Sequence, residues 1–170
     1  MKLEPIAITD FSARIFEAWD KGWFLLSAGS FADKKFNCMT VSWGMMGTMW
    51  NKPIVQVVVR PSRYTFGFIE AAPDFTLCAF PEDQRKALSL LGSKSGRDGD
   101  KIAAAGITPI ASSLVTAPCY AEANLVIECR KVFTDAYKPA SFIDPDIEKN
   151  YGGSNYHHVY YGEVLAIRGI

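Results

Sequence analysis

The residues best suited to chemistry form a short run where a buried strand passes into a helix. This run, Arg60-Pro61-Ser62-Arg63-Tyr64-Thr65, follows residues 54–59, which are apolar at every position but Gln56. A helix N-terminus carries unpaired N–H groups and a partial positive charge, and sequences usually place Asp or Glu there. Two arginines at this point are unfavourable unless an outside anion binds. The run predicts a phosphate site built from N–H groups, hydroxyls and guanidinium groups. In the plainer alternative, Ser62 caps the helix and both arginines face solvent.

The charge distribution around this run is uneven. Residues 34–69 contain five Lys or Arg side chains and no Asp or Glu, although the whole chain balances 18 basic against 18 acidic residues. A neutral chain without an extended basic face is not typical of nucleic-acid binding. The imbalance is therefore local, and it favours a small anion as the ligand.

A second basic segment, residues 92–101, has the sequence GSKSGRDGDK and leads into a predicted helix. Its spacing does not match the GxxxxGK[ST] pattern of a nucleotide-triphosphate loop. It is either part of the anion site or an ordinary surface turn.

Residues 37–44, NCMTVSWG, alternate polar and apolar side chains. A strand edge of this kind can offer backbone N–H and C=O groups to the heteroatoms of a flat ring while Met39 or Trp43 packs beside it. The alternative is a half-buried amphipathic strand, with Cys38 as a small packing residue.

Other reaction classes find little support. The only two histidines, His157 and His158, are adjacent and point to opposite faces of a strand, so at most one faces a given pocket. No hydrolytic triad order, close carboxylate pair or dinucleotide GxGxxG motif is present. The four cysteines lack CxxC spacing, so we expect no metal site, no disulfide framework and a cytoplasmic location.

The elements that position these residues are mostly strands. We predict a first helix that Asp10 caps, with Phe11, Ile15 and Trp19 on one face, and a polar functional loop at 137–156. Six strands are predicted at 23–30, 36–43, 54–60, 74–80, 122–133 and 157–167, and further helices at 62–72, 82–91 and 98–105. This content favours an antiparallel barrel over a βαβ fold.

The chain of 170 residues is long enough for one full core, so we expect a single domain spanning 1–170. Its first 22 residues lack the continuous apolar stretch of a signal peptide, and no stretch approaches the length of a membrane span. We therefore expect neither secretion nor membrane insertion.

The chain resembles the flavin reductase-like family, above all its flavoredoxin-type members. The resemblance is carried, in this order, by the segments 37–44, 60–65 and 92–101 and by a histidine five residues before Gly162-Glu163-Val164. The resemblance extends from about residue 23 to residue 167. It implies a mainly β, six-stranded antiparallel split β-barrel of Greek-key topology with short helices. It also implies non-covalent FMN and a homodimer with flavin sites near the subunit interface.

The resemblance assigns roles by position. Met39, Thr40, Val41 and Ser42 would meet the flavin ring and ribityl chain, and Arg60, Ser62, Tyr64 and Thr65 would hold the phosphate. Ser95, Arg97 and Lys101 would lie near the phosphate or the partner subunit. His157 matches a histidine associated with nicotinamide use and is the candidate catalytic residue.

Three functions remain open at this point. In the first, the chain is an oxidoreductase: NAD(P)H or another donor reduces FMN, and the reduced FMN then reduces a small molecule or a protein. Alternatively, it is a non-enzymatic electron carrier without its own NAD(P)H site. The third possibility, a barrel that has lost flavin, fits poorly with the intact basic and hydroxyl-bearing segments.

Overall fold

The computed structural model of the protein describes residues 3–170. Residues 1 and 2 lie outside the described part. They belong to the single domain expected over 1–170 and to the N-terminal stretch expected to lack a signal peptide.

Antiparallel strands dominate the fold. The strands are β1 (Glu4–Ile6), β2 (Phe24–Ser30), β3 (Lys35–Val41), β4 (Gly44–Met49), β5 (Lys52–Val59), β6 (Asp74–Ala79), β7 (Pro109–Ile110), β8 (Cys119–Tyr120), β9 (Leu125–Ala136) and β10 (His158–Gly169). The helices are α1 (Ile15–Glu17), α2 (Tyr64–Ala71), α3 (Arg85–Ser93) and α4 (Lys101–Ala105). Short 3₁₀ turns lie at Ile8–Asp10, Glu82–Gln84, Pro139–Ser141 and Pro145–Asn150, and a π turn spans Ala18–Gly22.

The main sheet has the order β3-β2-β6-β9-β10-β5-β4, and β1 pairs with the end of β10. The two outermost strands, β3 and β4, are consecutive in the chain and joined only by Ser42 and Trp43. Val41 and Gly44 are thus at most about 11 Å apart, because each residue extends the chain by no more than 3.8 Å. The sheet must therefore curl until its two edges meet at this connection, as in a split barrel.

The mainly antiparallel β fold with short helices is confirmed, but the strand count is not. The described residues form eight strands in the main sheet and a separate β7-β8 pair, where six strands were expected. The largest omission, β4, consists of Gly, Met and Thr and lacks a β-branched run like that of β5. Pairing along β5 makes this segment a strand.

Two apolar clusters flank the sheet. Alternate residues of β2 point to opposite faces, so Phe24 and Leu26 enter the barrel core while Leu25 packs under α3 against Leu88. β5 is buried from Ile54 to Val59, as expected for a strand covered on both faces.

The strands approach closely inside the barrel at Gly162 of β10. A Cβ there would lie 2.5 Å from Phe75 Cζ and 2.7 Å from Cys129 Cβ, so a side chain does not fit. This contact gives a structural reason for the glycine in the Gly162-Glu163-Val164 motif.

The N-terminal segment differs from the predicted helix. Asp10 ends a 3₁₀ turn, and α1 begins only at Ile15 with Arg14 as its N-cap, so Asp10 does not cap it. Phe11, Ile15 and Trp19 nevertheless all pack against the barrel core. The apolar residues were correctly assigned to the core, but the regular helix proposed to carry them was wrong.

Across residues 3–170, none of the helices has the length and apolar character needed to cross a membrane.

Candidate functional site

Two neighbouring clefts lie beside the meeting point of the sheet edges. The first, which we call the strand cleft, has a volume of about 190 Å³ and follows the end of β3. Its lining residues are Met39, Thr40, Val41, Ser42, Trp43, Val58, Arg60, Arg63 and His157. Because β3 is an edge strand, paired only with β2, its outer backbone groups are free of ladder bonds and face the split.

The second, which we call the anion cleft, has a volume of about 100 Å³ and lies at the start of α2. Its lining residues are Asn37, Met39, Ser62, Arg63, Tyr64, Thr65, Leu91, Gly92, Ser93, Lys94, Ser95, Arg97 and Lys101. Met39 and Arg63 line both clefts, so the two are adjacent, and we treat them together as one site. All twelve residues predicted from the sequence line one cleft or the other.

The combined site is cationic. Five Lys or Arg residues and no Asp or Glu are among the described residues that line it: Arg60, Arg63, Lys94, Arg97 and Lys101. Arg60 and Arg63 come from the basic 34–69 stretch and the other three from the 92–101 segment, so the two basic segments meet here, which favours an anionic ligand.

The start of α2 has the features of an anion site. The helix begins at Tyr64 with Arg63 as N-cap, no side chain accepts a bond from its first turn, and that turn has no acidic residue. The alternative in which Ser62 caps the helix is therefore wrong. The N–H groups of this turn point out of the N-terminal end of α2, where a helix favours a negative charge.

Three of the predicted polar side chains instead bind the protein itself. The Thr40 hydroxyl donates to Leu88 O of α3 at 2.5 Å, and the buried Thr65 hydroxyl donates to Cys38 O at 3.1 Å. The Lys101 ammonium donates to Leu91 O at 2.8 Å and Lys94 O at 3.2 Å, and burial lowers its pKa. The three side chains were expected to contact the ligand, but in the structure they bind backbone carbonyls. These bonds hold together the segments that form the cleft walls.

Arg60 lies in the strand cleft and not with the predicted phosphate group. Its guanidinium donates to Asn150 O at 2.7 Å and lies 5.0 Å from the ring centre of Tyr151. Both contacts are in the 137–156 segment, so Arg60 holds that segment against the cleft. Arg63 and Arg97 are the arginines of the anion cleft, and Arg97 also donates to Ser62 O at 3.2 Å.

The imidazole of His157 is held neutral. Its Nδ1 lies 2.9 Å from the Tyr151 hydroxyl, its ring centre is 5.4 Å from that of Trp43, and only 8% of the residue is exposed. Burial disfavours the charged imidazolium and the guanidinium groups of Arg60 and Arg63 repel it, which lowers the pKa of His157 to about 4. At neutral pH the histidine is therefore a hydrogen-bonding group without charge.

The flavin reductase like domain family matches residues 21–169 of this chain. The chain belongs to the flavin reductase-like family. This confirms the resemblance seen in the sequence.

Solved structures agree with this assignment. Flavoredoxin from Methanosarcina acetivorans is 25% identical with a TM-score of 0.68, over 88% of this chain and 68% of that one. Flavoredoxin of Desulfovibrio vulgaris (Miyazaki F) is 21% identical with a TM-score of 0.68, over 87% and 69%. An FMN-binding domain of a flavin reductases-like enzyme from Shewanella baltica OS155 is 18% identical with a TM-score of 0.70, over 99% and 77%. No curated protein sequence matches the chain.

Several residues of this flavin reductase-like site were missing from the sequence prediction. Arg63 and Lys94 lie inside the two basic segments, so the motifs themselves contained the signal. Tyr151 and Asn155 support the site from the 137–156 segment through hydrogen bonds to His157 and Ser62, and the composition of that segment gave no sign of these contacts. Among the described residues, no group of three His, Cys, Asp or Glu side chains could hold a metal ion.

We predict that the His157 imidazole titrates near pH 4 and not near 6.5 in proton NMR of the folded protein. Because the folded pKa lies below the unfolded one, its contribution to stability is complete above about pH 6.5 and is lost as the pH falls toward 4. His157→Asn should remove that part of the pH dependence of the unfolding free energy. A His157 midpoint near 6.5, or an unchanged pH dependence in the variant, would contradict the prediction.

Proposed function

We propose that the chain binds FMN non-covalently and acts as an oxidoreductase that passes electrons through it. The main support is that the strand cleft and the anion cleft are adjacent and share Met39 and Arg63. FMN has the matching shape, a flat heteroaromatic ring linked by a polar chain to a phosphate. Two of the structural neighbours are named flavoredoxins and the third an FMN-binding domain, in line with this proposal.

The residues present fit each part of FMN. The edge of β3 from Met39 to Ser42 offers backbone donors and acceptors for the ring, with Trp43 and His157 beside it. Arg63, Arg97 and the first N–H groups of α2 suit the phosphate. Bound FMN would supply the hydride- and electron-accepting ring, while the protein orients it and limits access.

NAD(P)H is the donor we propose, with neutral His157 as the group beside the reacting ring. An uncharged imidazole next to Arg60 can donate or accept a hydrogen bond without adding charge to the strand cleft. The competing function is a non-enzymatic electron carrier that takes electrons from a protein donor, which the two flavoredoxin neighbours favour.

We also propose a homodimer in the cytoplasm. An apolar patch formed by Met45, Met49, Trp50, Phe133 and Tyr161 is largely exposed on the outer face of β4, β9 and β10. It adjoins the strand cleft through the connection from Trp43 to Met45, so a second copy seated there would help to enclose the ring. All four cysteines are unpaired and buried, as suits a reducing compartment.

The first test is spectroscopic. The purified protein, or the protein given FMN, should show flavin absorbance and release intact FMN on denaturation. Anaerobic NADH or NADPH should bleach that absorbance if the chain is an NAD(P)H oxidoreductase, with dithionite as the control for a reducible flavin. A protein that dithionite bleaches and neither nucleotide bleaches would be the electron carrier, and a colourless protein that ignores FMN would overturn both functions.

The second test separates the two clefts. Arg63→Ala should weaken FMN binding about 10- to 100-fold, because a charge-assisted hydrogen bond contributes roughly 1.5–3 kcal/mol. Riboflavin has the same ring without phosphate, so its affinity should change by less than about twofold. Arg60→Ala should weaken both ligands, because Arg60 lines the strand cleft but not the anion cleft and its bond to Asn150 O holds the 137–156 segment in place.

Arg14→Ala, which removes an exposed arginine outside both clefts, is the charge-matched control and should leave both affinities unchanged. Equal losses of FMN and riboflavin affinity in Arg63→Ala would rule out Arg63 as a phosphate ligand.

The third test concerns assembly. Sedimentation velocity at micromolar concentration should show a dimer for the FMN-loaded protein, and Trp50→Asp should shift it toward monomer by placing a charge in the apolar patch. Leu114→Asp is the matched control, because Leu114 is 62% exposed and lies between β7 and β8, outside the patch. A monomeric wild-type protein with FMN bound would contradict the dimer.

A further inference from the structure

The side chain of Asn155 binds both polar groups of Ser62 at once. Its Oδ1 accepts from Ser62 N at 3.1 Å, and its Nδ2 donates to Ser62 Oγ at 2.8 Å. Asn155 has a φ of 57°, a left-handed conformation that Asn adopts more readily than most residues. The turn before α2 is thereby tied to the end of the 137–156 segment, 93 residues away in the chain.

This pair of bonds also keeps the Ser62 hydroxyl proton from pointing at Asn155. A backbone N–H can only donate, so the amide oxygen must face it and the NH₂ group must face Ser62 Oγ. Since Oγ already accepts this bond, its own O–H remains available to donate elsewhere. Ser62 lines the anion cleft, so an acceptor bound there can receive this proton.

We propose that Asn155 is a positioning residue for the phosphate of the bound flavin, acting through Ser62. It orients the Ser62 hydroxyl as a donor to the anion cleft and holds the turn between Arg60 and Arg63 in place. This inference rests on the proposed FMN function. Asn155 itself is not among the residues that line the anion cleft.

The chemistry of an amide is essential to this role. Aspartate at position 155 could still accept from Ser62 N, so the turn would keep that bond. Its second oxygen, however, could only accept, and the Ser62 hydroxyl would then donate to the carboxylate and not to the ligand. The carboxylate would also add a negative charge beside a site that binds an anion.

The test measures FMN and riboflavin affinities for the full-length wild-type protein and for Ser62→Ala, Asn155→Ala, Asn155→Asp and the double variant Ser62→Ala/Asn155→Ala. Asn155→Ala should weaken FMN binding about tenfold and riboflavin binding less than twofold. Added to Ser62→Ala, the same change should cost much less than it costs alone, because the bond from Asn155 Nδ2 to Ser62 Oγ is already lost and only the bond from Ser62 N remains to be removed. Asn155→Asp should weaken FMN binding further still, again with little effect on riboflavin.

Two results in the variants would overturn the role of Asn155 and leave the proposed function standing. One is equal loss of FMN and riboflavin affinity, which is what a merely structural role predicts. The other is independent effects of Ser62→Ala and Asn155→Ala that multiply in the double variant. A wild-type protein that binds FMN no more tightly than riboflavin would overturn the phosphate site and this role with it, and one that binds neither would overturn the proposed function.

Discussion

The two-residue connection between β3 and β4 is the constraint on which the site depends. These strands lie at opposite ends of the sheet, yet Ser42 and Trp43 alone join them, so the sheet has to curl until its edges meet. The edge of β3 keeps free backbone groups at the split because no strand pairs with it there. The same connection contributes Ser42 and Trp43 to the strand cleft. The barrel closure and the strand cleft both depend on this single short turn.

The cations of the site are held by neutral partners. The acceptors recorded for Arg60, Arg63 and Arg97 are the carbonyls of Asn150, Gly92 and Ser62, and Lys101 binds the carbonyls of Leu91 and Lys94. A carbonyl fixes the position of a cation without cancelling its charge, whereas a carboxylate would do both. The clefts are thus ordered in advance while their positive charge stays available to an incoming anion.

The sequence predicted features that depend on neighbouring residues and missed those that depend on distant ones. The β-branched run of β5 and the start of a helix just after residues 60–63 are local patterns, and the structure contains both elements. β4 forms through pairing, and the inward direction of Thr40 and Thr65 depends on how α3 and α2 pack on β3. Asn155 meets Ser62 across 93 residues, a separation at which composition and spacing carry no information.

The strand cleft and the anion cleft are also coupled through electrostatics. The low pKa of His157 results first from burial and then from repulsion by Arg60 and Arg63, and Arg63 also lines the anion cleft. An anion beside Arg63 offsets part of that repulsion, so binding at one cleft raises the proton affinity of the imidazole at the other. Linkage requires the reverse as well, so a protonated His157 strengthens anion binding. Occupancy of the anion cleft thereby adjusts the protonation of His157 in the strand cleft, although His157 does not line the anion cleft.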